Sequence, residues 1–254
     1  MKITFLGTGT SCGSPVLGCS CDVCMSEDPH DKRLRSSVLI ETEKTRILID
    51  CGPDFRQQMM FRPFRRIDGV LITHTHYDHV GGMDDLRPYC AFGEIDVYAD
   101  FGAADSLRQT IPYCFTENKY PGVPGIRLNV IEPDIPLNIG DITVRPFRVM
   151  HGKMPILGFL IGDFAYITDM KTIGKEEINA LRGKIDTLIV NALRFDKPHH
   201  SHQLVDDAIE FSRTVSARRT FFIHSCHHLG RHKDANRCFP EGFELAYDGQ
   251  EIVV

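Results

Sequence analysis

Thr73-His74-Thr75-His76-Tyr77-Asp78-His79 follows the apolar run Val70-Leu71-Ile72 and precedes Val80-Gly81-Gly82. Three histidines and an aspartate thus fall just past the carboxyl end of a strand-like run. In extended chain, residues two apart share a face with Cα atoms roughly 6.5 Å apart. His74 and His76 are therefore spaced to hold one ion at bonds of about 2 Å. Asp78 and His79 lie one turn further on and face a second ion beside the first.

Working outward, His151 follows Val149-Met150, Asp169 follows Tyr166-Ile167-Thr168, and His224 follows Thr220–Ile223. Each stands at the end of a strand-like run, as His74 does. Strand ends on one rim of a sheet converge, so these three residues are the expected distant partners. Alternation and Gly/Pro/Asp boundaries predict strands over Lys2–Leu6, Ser37–Glu41, Arg46–Asp50, Gly69–Thr73, Ile95–Tyr98, Ile142–Val149, Leu157–Ile161, Phe164–Thr168, Thr187–Asn191 and Thr220–His224. Helical spacing is read over Asp54–Arg62, Ala103–Thr110, Gly174–Leu181 and His202–Thr214. Tyr113–Pro136, rich in Pro, Gly and Asn, reads as an inserted loop.

The HxHxDH pattern followed by a lone His, Asp and His resembles the metallo-β-lactamase superfamily of αββα hydrolases, from about Asp50 to His224. That resemblance implies a four-layer αββα sandwich. It implies one metal on His74, His76 and His151 and a second on Asp78, His79 and His224, with Asp169 bridging. Asp50 would orient a ligand from behind. A ligand set of nitrogen and oxygen alone accepts zinc, manganese or iron. The lack of a cysteine in the second site argues against β-lactam hydrolysis.

Gly18-Cys19-Ser20-Cys21-Asp22-Val23-Cys24 gathers three thiols, which in a reduced compartment read as a structural zinc site lacking a fourth ligand. Together with Leu6–Pro15, Arg33–Ser37, Gly82–Arg87 and Ala246–Ile252, this segment resembles the PhnP-type branch, the phosphoribosyl cyclic phosphate phosphodiesterases. The branch implies a structural zinc on Cys19, Cys21, Cys24 and His227. Cys226, in His224-Ser225-Cys226-His227, competes for the fourth position.

The resemblance points to a phosphodiesterase acting on small, including cyclic, phosphodiesters. Two ions roughly 3.5–4 Å apart would share a hydroxide that attacks phosphorus in line. Catalytic roles then fall to Asp78 at the metal pair and to a histidine protonating the leaving alkoxide, His202 first and His200 second. Rival readings are tRNA 3′ processing, lactone or thioester hydrolysis, a redox or cofactor-biosynthesis role, and a non-catalytic zinc module.

The chain has 254 residues, 42% apolar and 25% charged, with nine cysteines, twelve histidines and a formal charge of −5. That composition excludes disorder and a coiled coil. It also argues against a general polyanion binder, so no stable nucleic-acid association is expected. A single domain over residues 1–254 with a zinc-binding loop at about 12–30 is expected. The opening Met1–Ser11 has no signal-peptide pattern and no run is long enough for a membrane helix, so a cytoplasmic location without membrane partners is expected. A homodimer is left open.

Overall fold

Strand residues in this chain alternate between two destinations, and that alternation builds the layers. The structure, a computed structural model, describes residues 1–116 and 120–254. Its first half supplies β1 (Lys2–Gly7), β2 (Ser37–Glu41), β3 (Arg46–Ile49), β4 (Gly69–Leu71), β5 (Ile95–Ala99) and β6 (Ile126–Val130). The second supplies β7 (Leu137–Ile139), β8 (Ile142–His151), β9 (Met154–Ile161), β10 (Phe164–Ile167), β11 (Thr187–Asn191), β12 (Arg219–Ile223), β13 (Phe243–Leu245) and β14 (Glu251–Val253). Two seven-stranded sheets result, ordered β14-β1-β2-β3-β4-β5-β6 and β13-β12-β11-β10-β9-β8-β7.

Ile47 and Ile49 of β3 face the core between the sheets, whereas Leu48 faces the opposite way. On β11, Ile189 likewise joins the central core while Leu188 and Val190 join the outer cluster. The helices α1 (Phe55–Met59), α2 (Tyr77–Val80), α3 (Phe101–Thr110), α4 (Lys175–Leu181), α5 (Val205–Val215) and α6 (His232–Cys238) complete the set. Phe55 and Leu107 cover the outer face of the first sheet; Leu181, Ala208 and Phe211 cover that of the second. The order helix, sheet, sheet, helix is the expected αββα sandwich.

Two sequence expectations need correction. Tyr113–Pro136 contains β6, paired parallel to β5 from Ile95↔Ile126 to Ala99↔Val130. Its Pro, Gly and Asn content masked an edge strand whose Ile126 and Leu128 still alternate toward the apolar side. Residues 117–119 of that segment lie outside the described ones. The predicted His202–Thr214 helix begins later, at Val205, where the Asp207 carboxylate accepts from the Leu204 N–H at 3.0 Å. His202 therefore sits in the loop before α5.

No helix among the described residues is long and apolar enough to cross a membrane. Parallel pairing of β3 with β4, of β10 with β11 and of β11 with β12 sends their carboxyl ends to one rim. At that rim the Leu157 N–H donates to the Thr73 carbonyl at 3.0 Å, tying the sheets together.

Candidate metal centre

The first sheet delivers Asp50 after β3, His74 and His76 after β4, and Asp78 and His79 on α2. The second delivers His151 at the end of β8, Asp169 just past β10 and His224 just past β12. Asp50, Asp169 and His224 all adopt left-handed backbone, with φ of 61°, 57° and 51°. Non-glycine residues there are uncommon and persist where surrounding structure fixes them. Here the strand must turn sharply while aiming its side chain across the rim. Gly52 and Gly82 allow the tight approach of the neighbouring loops, since a Cβ on Gly82 would lie 2.0 Å from the Gly52 carbonyl oxygen.

Hydrogen bonds fix which ring nitrogen each histidine presents. Asp50 is fully buried, and its carboxylate accepts from the Thr73 N–H at 2.9 Å, the Thr73 hydroxyl at 2.8 Å and His79 Nδ1 at 2.7 Å. His79 thus presents Nε2. His74 Nδ1 lies 3.0 Å from Thr73 Oγ1, and His151 Nδ1 donates to the Ser201 carbonyl at 2.9 Å, so these two also present Nε2. An oxygen behind each imidazole is the arrangement that orients metal-binding histidines. Asn191 clamps Met170 through both its backbone N–H and carbonyl, at 2.7 and 3.0 Å, and so fixes the turn carrying Asp169.

The donor atoms converge in the expected groups. His74, His76 and His151 lie together, as do Asp78, His79 and His224; Asp169 joins both His74 with His79 and His151 with His202. His79 Nε2 lies 3.1 Å from carboxylate oxygens of both Asp78 and Asp169, and no hydrogen bond satisfies it. His224 Nε2 is 3.3 Å from the same two oxygens. A nitrogen lone pair aimed at two anions requires a cation or a proton between them. The residues therefore fit a divalent ion.

The same carboxylates favour a proton on His79. Burial disfavours charging His79, but the Asp169 and Asp50 carboxylates outweigh it and raise its pKa well above the ordinary value. Burial lowers His74 and His76 instead. Protons should therefore compete for His79 up to higher pH than for His74 or His76. Protein loaded at neutral pH should hold about three ions, two here and one on the cysteines. On acidification, the ion held by Asp78, His79 and His224 should leave before the one on His74, His76 and His151. Elemental analysis and cobalt spectra along a pH series check this; loss in the opposite order contradicts it.

The three clustered cysteines and His227 lie together. Sγ atoms of Cys19, Cys21 and Cys24 lie 3.4, 3.3 and 3.3 Å from His227 Nδ1. A tetrahedral zinc with sulfur bonds of about 2.3 Å and nitrogen bonds of about 2.0 Å separates such atoms by roughly 3.5 Å. A backbone hydrogen bond at Cys24 draws the Cys21 thiol down to about 6, whereas burial pushes Cys24 up to about 11. Cys226 stays out of this cluster: its N–H donates to the Leu193 carbonyl and its thiol turns toward Arg194.

His202 is half-buried, its Nδ1 3.5 Å from Asp169 and without a hydrogen bond, which puts it among groups able to hold an ion. Its burial, then the nearby His224, lowers its pKa to about 3. His200 is exposed and lines the cavity beside His76 and His151. Sequence reading missed Thr73 and the Ser201 carbonyl, because orienting partners carry no spacing signal.

The chain belongs to the beta-lactamase superfamily, whose domain model matches residues 45–225. Within it, the two converging ligand sets are joined by a full-length likeness. The chain falls in the PhnP-like branch: the crystal structure of a diphosphatase from the PhnP family superposes with a TM-score of 0.91 at 34% identity, over 99% of this chain and 96% of that one. A Porphyromonas gingivalis protein named octanoyltransferase is 46% identical over the whole of this chain but only 52% of its own length. A Bradyrhizobium diazoefficiens ribonuclease Z is 36% identical over 62% of this chain and 48% of its own. The chain thus spans about half the length of the curated relatives it matches.

Proposed function

We propose that this chain is a dinuclear metal-dependent phosphodiesterase acting on small, including cyclic, phosphodiesters. The observation that carries the reading is the pair of converging donor sets that share Asp169. The likeness to a PhnP-family diphosphatase supports phosphoester chemistry over other esters. Two divalent ions, zinc, manganese or iron, would supply Lewis-acid charge and a water acidified toward neutral pH. Asp78 and Asp169 supply anionic ligands, while Asp50, Thr73 and Ser201 hold the imidazoles in position. A third ion, a zinc on Cys19, Cys21, Cys24 and His227, would fasten the N-terminal loop to the His224–His227 segment.

His202 serves as proton donor to the leaving alkoxide, with His200 as the second candidate. Burial keeps the resting His202 imidazole neutral, carrying one ring proton. An arriving phosphodiester anion raises its pKa, so that the ring takes up a second proton, and this is the proton it hands to the leaving alkoxide. His202→Ala should slow an alkyl diester by about 10²-fold or more. A bis(p-nitrophenyl) phosphate should suffer much less, because nitrophenolate leaves without a proton. Equal losses on both substrates would remove His202 from this role, and His200→Ala would then be measured the same way.

The reading as a whole is tested by giving the metal-loaded protein cyclic phosphates, linear diesters, a lactone and a thioester. Diester turnover at the highest kcat/KM is expected; turnover confined to the lactone or thioester overturns it. Ribonuclease Z-like processing is the second reading, supported by the partial relatives. Against it, the chain is acidic overall and shows no basic arm in its sequence. Acyl transfer rests on the name of a protein of which this chain matches about half.

A further inference from the structure

His202 stands between two anchored neighbours. On one side, the Ser201 carbonyl accepts from His151 Nδ1 at 2.9 Å. On the other, Gln203 is 2% exposed, and a buried amide is costly unless it is bonded. Its N–H donates to the Met170 carbonyl at 3.1 Å, and its carbonyl accepts from the Leu193 N–H at 3.2 Å. Its side-chain Nε2 donates to the Asn191 carbonyl at 2.8 Å. The Met170 carbonyl accepts a second bond, from Asn191 Nδ2 at 3.0 Å. Gln203 therefore ties the loop before α5 both to the residue after Asp169 and to the end of β11.

The ring between these anchors is held differently. His202 Nδ1 takes no hydrogen bond among the described residues and lies 3.5 Å from an Asp169 carboxylate oxygen. The rings of His151 and His224 flank it, with centroids 4.6 and 5.0 Å away. Such ring contacts limit the tilt of the imidazole. How far it reaches is set by the backbone on either side.

Resting on the reading of His202 as proton donor, we propose that Gln203 is a positioning residue for it. By pinning the backbone to Met170 and Asn191, Gln203 holds the His202 imidazole within reach of the leaving oxygen. The same bonds fix His202 to the turn carrying Asp169, so donor and shared carboxylate keep one separation. Proton transfer needs hydrogen-bond distance, and a misplacement of about 1 Å costs up to about 10²-fold. Gln203 touches no reacting atom, so its effect is confined to the step that uses His202.

Gln203→Met keeps the length of the side chain and removes the Nε2 donor. Gln203→Glu keeps its shape and serves as the second variant should the first not fold. In metal-loaded protein, either should lower kcat for an alkyl diester about tenfold, with KM within about twofold and metal content unchanged. Turnover of bis(p-nitrophenyl) phosphate should change by less than about twofold, because its leaving group needs no proton. In a His202→Ala background the substitution should add no further loss, since residues acting as one unit are not additive. Equal losses on both diesters, or a full further loss on top of His202→Ala, overturn the assignment. Nuclear magnetic relaxation at isotope-labelled histidine Cε1 in the zinc-loaded protein reads the ring without turnover. The His202 ring should be as ordered as that of His151 in the wild type and visibly looser in the variants. A His202 ring equally ordered in all three proteins overturns the assignment whatever the rates. If the ring loosens while the wild type hydrolyses no diester, the phosphodiesterase reading fails and the positioning role stands.

Discussion

Replacing Asp169 with alanine should abolish nearly all turnover while leaving the fold in place. Asp169 is 2% exposed and stands 3.1 Å from His79 Nε2 and 3.3 Å from His224 Nε2. It is the carboxylate that appears in both halves of the donor set. Two-metal catalysis depends on clamping both reacting oxygens, and losing the shared ligand removes several kcal/mol of that stabilisation. At about 1.4 kcal/mol per decade, a loss of about 10³-fold or more in kcat/KM is expected. The backbone of the turn is held independently by Asn191, so circular dichroism should remain that of the wild type. A variant with more than about a tenth of wild-type activity would contradict the shared-ligand assignment.

Cys21→Ser should do the reverse. The cysteine loop makes few apolar contacts of its own: Leu17 and Met25 are exposed, and of its apolar side chains Val23 and Cys24 are buried. Metal binding at such a site is folding energy, because the unfolded chain offers no preformed ligand set. If three remaining ligands forfeit about 3 kcal/mol, a chain of this size should melt roughly 6–12 °C lower. Hydrogen exchange should quicken in residues 13–29. Turnover should survive well below the transition, since His74, His76, His151 and Asp169 are untouched. A variant that melts like the wild type yet is inactive would make the cysteines catalytic.

Much of the sandwich was legible because a buried strand leaves a period-two trace. Ser37–Glu41 and Thr187–Asn191 match the predicted limits, and most others differ by one or two residues. β6 was hidden because Arg127 and Asn129 break up an edge strand with one exposed side. The start of α5 was misplaced because Leu204 continues the apolar helical spacing although its backbone is extended and it is the cap residue. At the metal centre, the shared placement of His74, His151, Asp169 and His224 after strands was sufficient to group them. What spacing could not convey is which ring nitrogen each histidine presents, since a carbonyl fifty residues away decides that for His151. Cys226 and His227 differ by one residue of register, and the backbone bond from Cys226 to Leu193 leaves His227 as the one grouped with the three thiols.

The donor sets also follow an order in time. A ribosome releases residues from the N-terminus at about 5–20 per second, and early segments begin to organise first. His74, His76 and His151 are all present once residue 151 has been made. The set of Asp78 and His79 waits for His224, and the thiols of Cys19, Cys21 and Cys24 wait for His227, three residues later. The set closed by His224 and the cysteine set therefore become complete almost together. Until then, three thiols and a histidine-rich loop stand open to whatever cation the surroundings offer.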